Sequence, residues 1–122
     1  MSTSALIFVD GTEIVLYKHW DGYPKATLKW LQDFNKQFTT SRGEGKDPAY
    51  KAAQLIRSSA FECDHYKLDN SRDTGWGVYT VNDVDHFDGI EWVYYLRPDG
   101  EVDLWAEGIQ KASIEPPTFT IQ

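Results

Sequence analysis

Residues 17–24, which read Tyr-Lys-His-Trp-Asp-Gly-Tyr-Pro, constrain the fold most, because the residue pattern changes there from strand to helix. Just before them, Ile14 and Leu16 are expected on one face of a strand and Glu13 and Val15 on the other. Pro24 suits the first turn of a helix, where its missing N–H costs nothing, and residues 25–38 contain no further Gly or Pro. The stretch therefore predicts a strand that leads directly into a helix.

Two β-hairpins are predicted, one near each end of the chain. Residues 5–9 and 12–17 are strand-like and are separated by Asp10-Gly11, a strong signal for a type I′ turn. Residues 90–96 and 102–105 flank Pro98-Asp99-Gly100, which favours a tight turn. Residues 78–81 predict one more strand, and the tail with Pro116-Pro117 can form an edge strand or an extended arm at most.

Two helices are predicted between the hairpins. The first has apolar residues at helical spacing over 28–38, with Leu28, Leu31, Phe34 or Asn35, and Phe38 facing inward. Residues 39–46 predict a flexible loop, after which Asp47 would cap a second helix that starts at Pro48. Its inward stripe is expected to consist of small residues: Ala49, Ala52, Ala53, Ile56 and Ala60.

The element order ββααβββ predicts an α+β fold in a single domain over residues 1–122. We expect an antiparallel sheet of about five strands with two helices packed on one face. Residues 62–75 predict a long ordered connection, which could hold an extra strand near 66–68. Residues 82–89 are acidic and turn-like.

Charge is unevenly divided between the two halves of the chain. Residues 1–60 hold eight Lys/Arg and six Asp/Glu, whereas residues 61–122 hold four and thirteen. An acidic surface of this kind disfavours general nucleic-acid binding and favours a basic or mixed protein partner.

The start of the chain, Met-Ser-Thr-Ser, lacks the basic segment of a signal peptide, and the apolar run behind it is too short to span a membrane. Cys63 is the single cysteine, so no internal disulfide can form, which favours a reducing compartment. We therefore expect a soluble cytoplasmic protein without membrane binding.

Motifs for cofactors and metals fail on spacing. Gly45-Lys46 is followed by Asp47 instead of Ser or Thr, so a phosphate-cradling loop is not formed. The acidic residues of 83–89 do not match a calcium loop. His19, His65 and His86 each have an aspartate within two positions, but they lie on three separate segments. No cofactor, metal site or catalytic residue is predicted, and non-enzymatic binding is favoured over enzymatic activity.

Binding residues are predicted where aromatic and polar side chains concentrate. Residues 17–24 hold three aromatic rings, a histidine and a carboxylate at the start of a helix, and residues 70–77 combine an arginine with an aromatic residue. These side chains form the candidate binding set: Tyr17, His19, Trp20, Asp21, Tyr23, Arg72 and Trp76. The alternative is that residues 17–24 only define the strand-to-helix corner.

The order Tyr17, His19, Asp21, Gly22, Tyr23 and Pro24 resembles a motif of small uncharacterised proteins from bacteriophages, archaeal viruses and other mobile elements. The resemblance covers about the first third of the chain and implies no particular activity. It implies a context in which small proteins bind a host protein or a host signalling molecule.

These observations predict a small binding protein that docks a basic or mixed partner through an acidic, aromatic-rich surface. Six aromatic residues of the carboxyl half exceed what one small core can hide, so self-association as a homodimer is also expected; they are Trp76, Tyr79, Trp92, Tyr94, Tyr95 and Trp105. The alternative is a binder of a small anionic, nucleotide-like ligand at the corner of residues 17–24.

Overall fold

The computed structural model describes residues 3–19, 21–62, 75–86 and 89–106. It has five strands and two helices in the predicted order, which confirms the α+β class. The elements are β1 (Ala5–Val9), β2 (Ile14–Lys18), α1 (Pro24–Arg42), α2 (Pro48–Glu62), β3 (Trp76–Thr80), β4 (Trp92–Leu96) and β5 (Val102–Ala106). A 3₁₀ turn, Val81–His86, follows β3 within the acidic segment. The extra strand expected near 66–68 falls outside the described residues.

The strands form one mixed sheet in the order β3-β2-β1-β4-β5. Three of the four pairings are antiparallel, as predicted, but the central pairing of β1 with β4 is parallel. Both hairpins are therefore present, and they join through their first strands. All five residues of β1 are buried, because this strand has a neighbour on each side and both of its faces are covered, as its continuous apolar sequence requires.

The turn of the first hairpin differs from the two-residue type I′ prediction. Val15 of β2 pairs with Phe8 of β1, so the loop spans residues 10–13. Only Gly11 has positive φ, at 88°. Thr12 closes the loop, because its N–H and its Oγ1 both donate to Val9 O, at 3.2 and 3.1 Å. These hydrogen bonds from Thr12 to a residue earlier in the chain stabilise a four-residue loop, which is longer than the two-residue turn that Asp10-Gly11 predicted.

Both helices lie on one face of the sheet, as predicted. Leu31 of α1 and Leu55 of α2 share a core cluster with Ile7, Leu16 and Tyr94 of the sheet. Helix α1 begins at Pro24, but it continues to Arg42, so the loop expected from residue 39 was wrong over its first four positions. Those residues carry no Gly or Pro, and nothing in the backbone ends the helix before Gly43.

The inward face of α2 differs from the predicted small-residue stripe. Ala52 is buried, but Ala49 and Ala53 are exposed, and Ile56 is 38% exposed. The side chain of Ala60 is not described. Instead the sheet side of the helix presents Lys51, Leu55 and Ser59 with Ala52. The helix is turned so that Leu55, which is fully buried, lies in the core cluster beside Ala52.

The cap of α2 also differs from the prediction. Asp47 does precede the helix, but it has a φ of 46° and its carboxylate accepts a hydrogen bond from Arg42 Nη1 at 3.0 Å. This left-handed backbone is not the extended conformation of a usual capping residue. The start of α2 is therefore tied to the end of α1.

Candidate functional site

The second half of the predicted corner, residues 21–24, is held by backbone contacts with the core. Gly22 N–H donates to Thr3 O at 2.7 Å, and Gly22 O accepts a hydrogen bond from the hydroxyl of Tyr94 at 2.6 Å. A Cβ at residue 22 would lie 2.7 Å from Thr3 O and 2.8 Å from Ala5 Cβ. Only glycine fits there, so this half of the corner fastens the start of α1 to β1 and β4.

The first turn of α1 is stabilised without a side-chain cap at its preceding residue. Tyr23 has an extended backbone and makes no capping hydrogen bond with its side chain. Thr27, which is buried, donates from Oγ1 to Asp21 O at 2.9 Å. Asp21 itself has a φ of 56°, a left-handed conformation that Asp tolerates better than most residues. Asp21 and Tyr23 therefore shape the turn.

The first half of the corner forms a ring cluster on the sheet face opposite the helices. The hydroxyl of Tyr17 and Nδ1 of His19 are 2.6 Å apart, and the rings of Tyr17 and Tyr79 meet edge to face at 6.2 Å. Partial burial raises the pKa of Tyr17, with a smaller contribution from the neighbouring Tyr79. A phenol in this setting keeps its proton and acts as a hydrogen-bonding group.

A glycine makes room for this cluster. Gly77 pairs with Tyr17 across the β2–β3 ladder, and a Cβ on Gly77 would lie 2.7 Å from Cε2 of Tyr79. The Tyr79 ring therefore covers the backbone of Gly77 and reaches Tyr17. We call the residues Tyr17, His19, Gly77 and Tyr79 the Tyr17 patch.

The structure does not bring Trp76 to this patch. Trp76 pairs with Lys18, and its ring lies on the helix side, edge to face with Trp30 at a centroid distance of 5.7 Å. The ammonium of Lys18 is 4.9 Å from the centre of the Trp76 ring. Of the predicted binding residues, Tyr17 and His19 are in contact. Asp21 and Tyr23 lie in the turn before α1, and Trp76 packs on the opposite face of the sheet. Trp20 and Arg72 lie outside the described residues.

Strand β3 is an edge of the sheet, which the sequence alone did not indicate. Among the described strands its neighbour is β2. The bonds from His19 N to Gly75 O, at 2.8 Å, and from Val81 N to Glu13 O, at 2.9 Å, fix the hydrogen-bonding pattern. Because antiparallel pairs alternate, residues 77 and 79 also bond to β2, and the backbones of residues 76, 78 and 80 point away from it.

Among the six aromatic residues of the carboxyl half that the sequence analysis singled out, the most exposed lies on β3. Val78 is 50% exposed and Tyr79 is 37% exposed. Tyr94 and Trp105, by contrast, are buried, and Trp76, Trp92 and Tyr95 are half-buried. Of the six aromatic residues, Tyr79 is exposed and the other five are buried or half-buried, so the acidic, aromatic-rich docking surface stays a prediction.

A buried polar cluster lies at the end of the sheet where β1 and β4 finish. Arg97 O accepts hydrogen bonds from Asn35 Nδ2 at 3.0 Å and from Lys51 Nζ at 3.3 Å. Asn35 Nδ2 also donates to Glu101 O at 2.8 Å. Sequence reasoning missed this cluster, although Asn35 inside an apolar helical stripe was a signal, since a buried amide needs partners.

The described residues contain no group of three or more His, Cys, Asp or Glu side chains that could hold a metal ion. None of the described helices is long and apolar enough to cross a bilayer. Comparison of the chain with family models, with curated proteins and with solved structures found no match. The case for function therefore rests on the geometry, and the resemblance to mobile-element proteins stays a prediction.

Proposed function

We propose that this protein binds an extended segment of a partner protein, which adds a strand to the outer edge of β3. The observation that carries the proposal is the edge itself. Its sequence, Trp-Gly-Val-Tyr-Thr, has no charged residue and no proline. Proteins usually protect an exposed edge with Lys, Pro or a bulge, because unprotected backbone groups pair with other chains. An edge without such protection suits strand addition.

The backbone of β3 supplies the hydrogen-bonding groups that a partner strand needs. The N–H and C=O groups of residues 76, 78 and 80 point away from β2, as the alternation requires. A partner strand can therefore pair along the whole length of β3. Main-chain hydrogen bonds of this kind supply affinity that does not depend on the partner's sequence.

Side chains on the two faces of β3 supply selectivity. Val78 and Thr80 are exposed on the helix side of the sheet, and Tyr79 is exposed on the other side beside Tyr17. Because successive residues of an added strand point to opposite faces, they would meet Val78 and the Tyr17 patch in turn. Tyrosine at such a position contributes large contact area at a low cost in side-chain entropy.

Charge favours a basic or mixed partner. Residues 75–106 hold seven Asp/Glu and one Lys/Arg. Glu13 and Asp83 are exposed close to the end of β3, where Val81 bonds to Glu13 and Thr80 Oγ1 bonds to Asp83. Complementary charge near the edge accelerates association and disfavours acidic competitors.

The test uses Val78→Pro, which removes one outward N–H and leaves the β2 ladder intact. Gly77 precedes this position, and a glycine tolerates a following proline better than other residues do. The matched control is Val78→Thr, which keeps the N–H and the branched shape. Peptides selected on the wild-type protein from a displayed random library should be enriched in Lys and Arg. We expect Val78→Pro to weaken their binding by about tenfold or more and Val78→Thr to leave it within about twofold.

Melting curves must accompany the binding measurements, because proline can also destabilise the strand. If folded Val78→Pro binds the selected peptides as tightly as Val78→Thr does, strand addition at β3 is refuted. A second variant, Gly77→Ala, should displace the ring of Tyr79. It should change which peptides bind, with only a small effect on the melting temperature. Light scattering shows whether the strand that pairs with β3 comes from a second copy of this protein. If the wild type is a dimer and Val78→Pro is a monomer, the edge pairs with itself. That result would also contradict the proposal of a separate partner.

A further inference from the structure

Because β1 and β4 pair in parallel, the loops that follow them begin at the same end of the sheet. Asp10 follows β1 and Arg97 follows β4, and Asp10 N–H donates to Leu96 O at 3.2 Å. The carboxyl ends of neighbouring parallel strands are a common position for ligand sites, because the chain diverges there and leaves a crevice. Lys51 reaches this crevice from α2.

The crevice contains a cavity of about 30 Å³, and its lining includes Asp10, Gly11, Lys46, Pro48 and Lys51. A water molecule needs about 10–15 Å³ on this scale, so the cavity is about two to three waters in size and would take only part of a larger ligand seated at its mouth. Gly11 keeps it open: a Cβ there would lie 2.9 Å from Pro48 Cβ, and the φ of 88° disfavours any other residue. The cavity is therefore small, and two lysines and an aspartate are among its lining residues.

Lys51 brings a largely buried ammonium to the wall of this cavity. Its side chain is charged, the residue is only 5% exposed, and within the described part of the chain its ammonium makes one hydrogen bond, the 3.3 Å bond to Arg97 O. Burial lowers the pKa of Lys51, and the nearby Asp10 and Asp99 oppose that change. A largely buried ammonium is costly, and an anion in the adjoining cavity would offset that cost.

Asp10 restricts which anion can enter. Asp10 is one of the residues that line the cavity. Its carboxylate accepts a hydrogen bond from the hydroxyl of Tyr95 and lies near enough to Lys51 to oppose the lowering of that lysine's pKa. If a fully deprotonated oxyanion bound beside this carboxylate, both groups would be hydrogen-bond acceptors and neither could donate to the other. An oxyanion that still carries a proton would donate it to Asp10 while it accepts from Lys51. Both protein groups are then satisfied at once.

We propose that the cavity is a binding site for a protonated phosphate group, with Lys51 as the cation that holds it and Asp10 as the acceptor of its P–OH. Lys46, at the exposed rim, adds a second positive charge. Inorganic phosphate carries a P–OH at neutral pH and sulfate does not, although the two have nearly the same size and shape. The site should therefore select phosphate over sulfate.

The test is a titration of the uniformly labelled protein with sodium phosphate and with sodium sulfate at matched ionic strength, followed through the backbone amide signals of Asp10, Gly11 and Lys51. Wild type should bind phosphate and should bind sulfate about tenfold more weakly or worse. Lys51→Met should lose at least about tenfold in phosphate affinity. Lys25→Met, which removes an exposed charge from α1 outside the cavity, is the matched control and should change it less than about twofold.

Asp10→Asn gives the sharpest result and does not depend on the folding of the Lys51 variant. The amide oxygen of Asn can still accept from Tyr95, while its nitrogen can donate to an oxyanion. This variant should bind sulfate at least as tightly as phosphate. Equal affinity of wild type for the two anions, or amide shifts that avoid these three residues, would overturn the proposal.

A phosphate monoester shows whether the site takes free phosphate or a phosphate group attached to a larger molecule. Phenyl phosphate loses its last proton near pH 6, so it should compete with inorganic phosphate well below that pH. Above that pH, inorganic phosphate should bind better. Competition at both pH values with equal strength would show that Asp10 does not read the proton and would contradict the assigned role.

Discussion

Replacing Tyr94 with Phe measures how strongly the corner is built into the core. Tyr94 is fully buried, and its hydroxyl donates to Gly22 O at 2.6 Å. Phe keeps the ring in place and removes only the oxygen, so no sizeable cavity forms. The carbonyl of Gly22 then stays buried without this donor, which costs about 1–3 kcal/mol. The melting temperature should fall by about 3–5 °C for each kcal/mol in a chain of this length.

Urea unfolding followed by tryptophan fluorescence gives the free energy of unfolding for Tyr94→Phe and for a matched variant. Tyr23→Phe makes the same chemical change at a residue that is 37% exposed, and it should alter the free energy of unfolding by less than about 0.5 kcal/mol. If Tyr94→Phe is no more costly than Tyr23→Phe, the bond between β4 and the corner does not stabilise the fold, and the reasoning about Gly22 is wrong.

Three further predictions concern the same corner. Gly22→Ala should destabilise the protein by about 1–3 kcal/mol, because its Cβ would lie 2.7 Å from Thr3 O; a melting curve like that of wild type would contradict the close packing. Asp21→Ala should cost about 1 kcal/mol at its φ of 56°, whereas Asp21→Gly should cost less; equal losses would show that the side chain of Asp21 matters instead of its backbone. Tyr17→Phe removes the hydroxyl beside His19 and should cost about 1 kcal/mol at neutral pH. Because the pKa of Tyr17 is raised in the folded state, its contribution should be present below about pH 10 and lost as the pH rises further, which unfolding measurements across that range can check.

Local sequence was sufficient to predict the order of elements and both hairpins. Pro24 marks the start of α1, and the turn at Pro98-Asp99-Gly100 lies between β4 and β5 as expected. These features depend on residues close together in the chain, where backbone preferences and periodicity act directly. The same reasoning placed Tyr17 and His19 at one strand end, and the structure brings their side chains into contact.

The candidate sites depended on contacts between distant residues, which no local pattern contains. The edge position of β3 follows from the strand order, and the cavity exists because β1 pairs in parallel with a strand more than 80 residues later in the chain. That pairing places Asp10 beside Leu96, and the packing of Leu55 turns α2 so that Lys51 faces inward. Sequence determined which segments form strands and helices, because those choices are local. Tertiary structure decided which polar groups meet, because burial of apolar area across the whole domain selects the pairing and the rotation of each element.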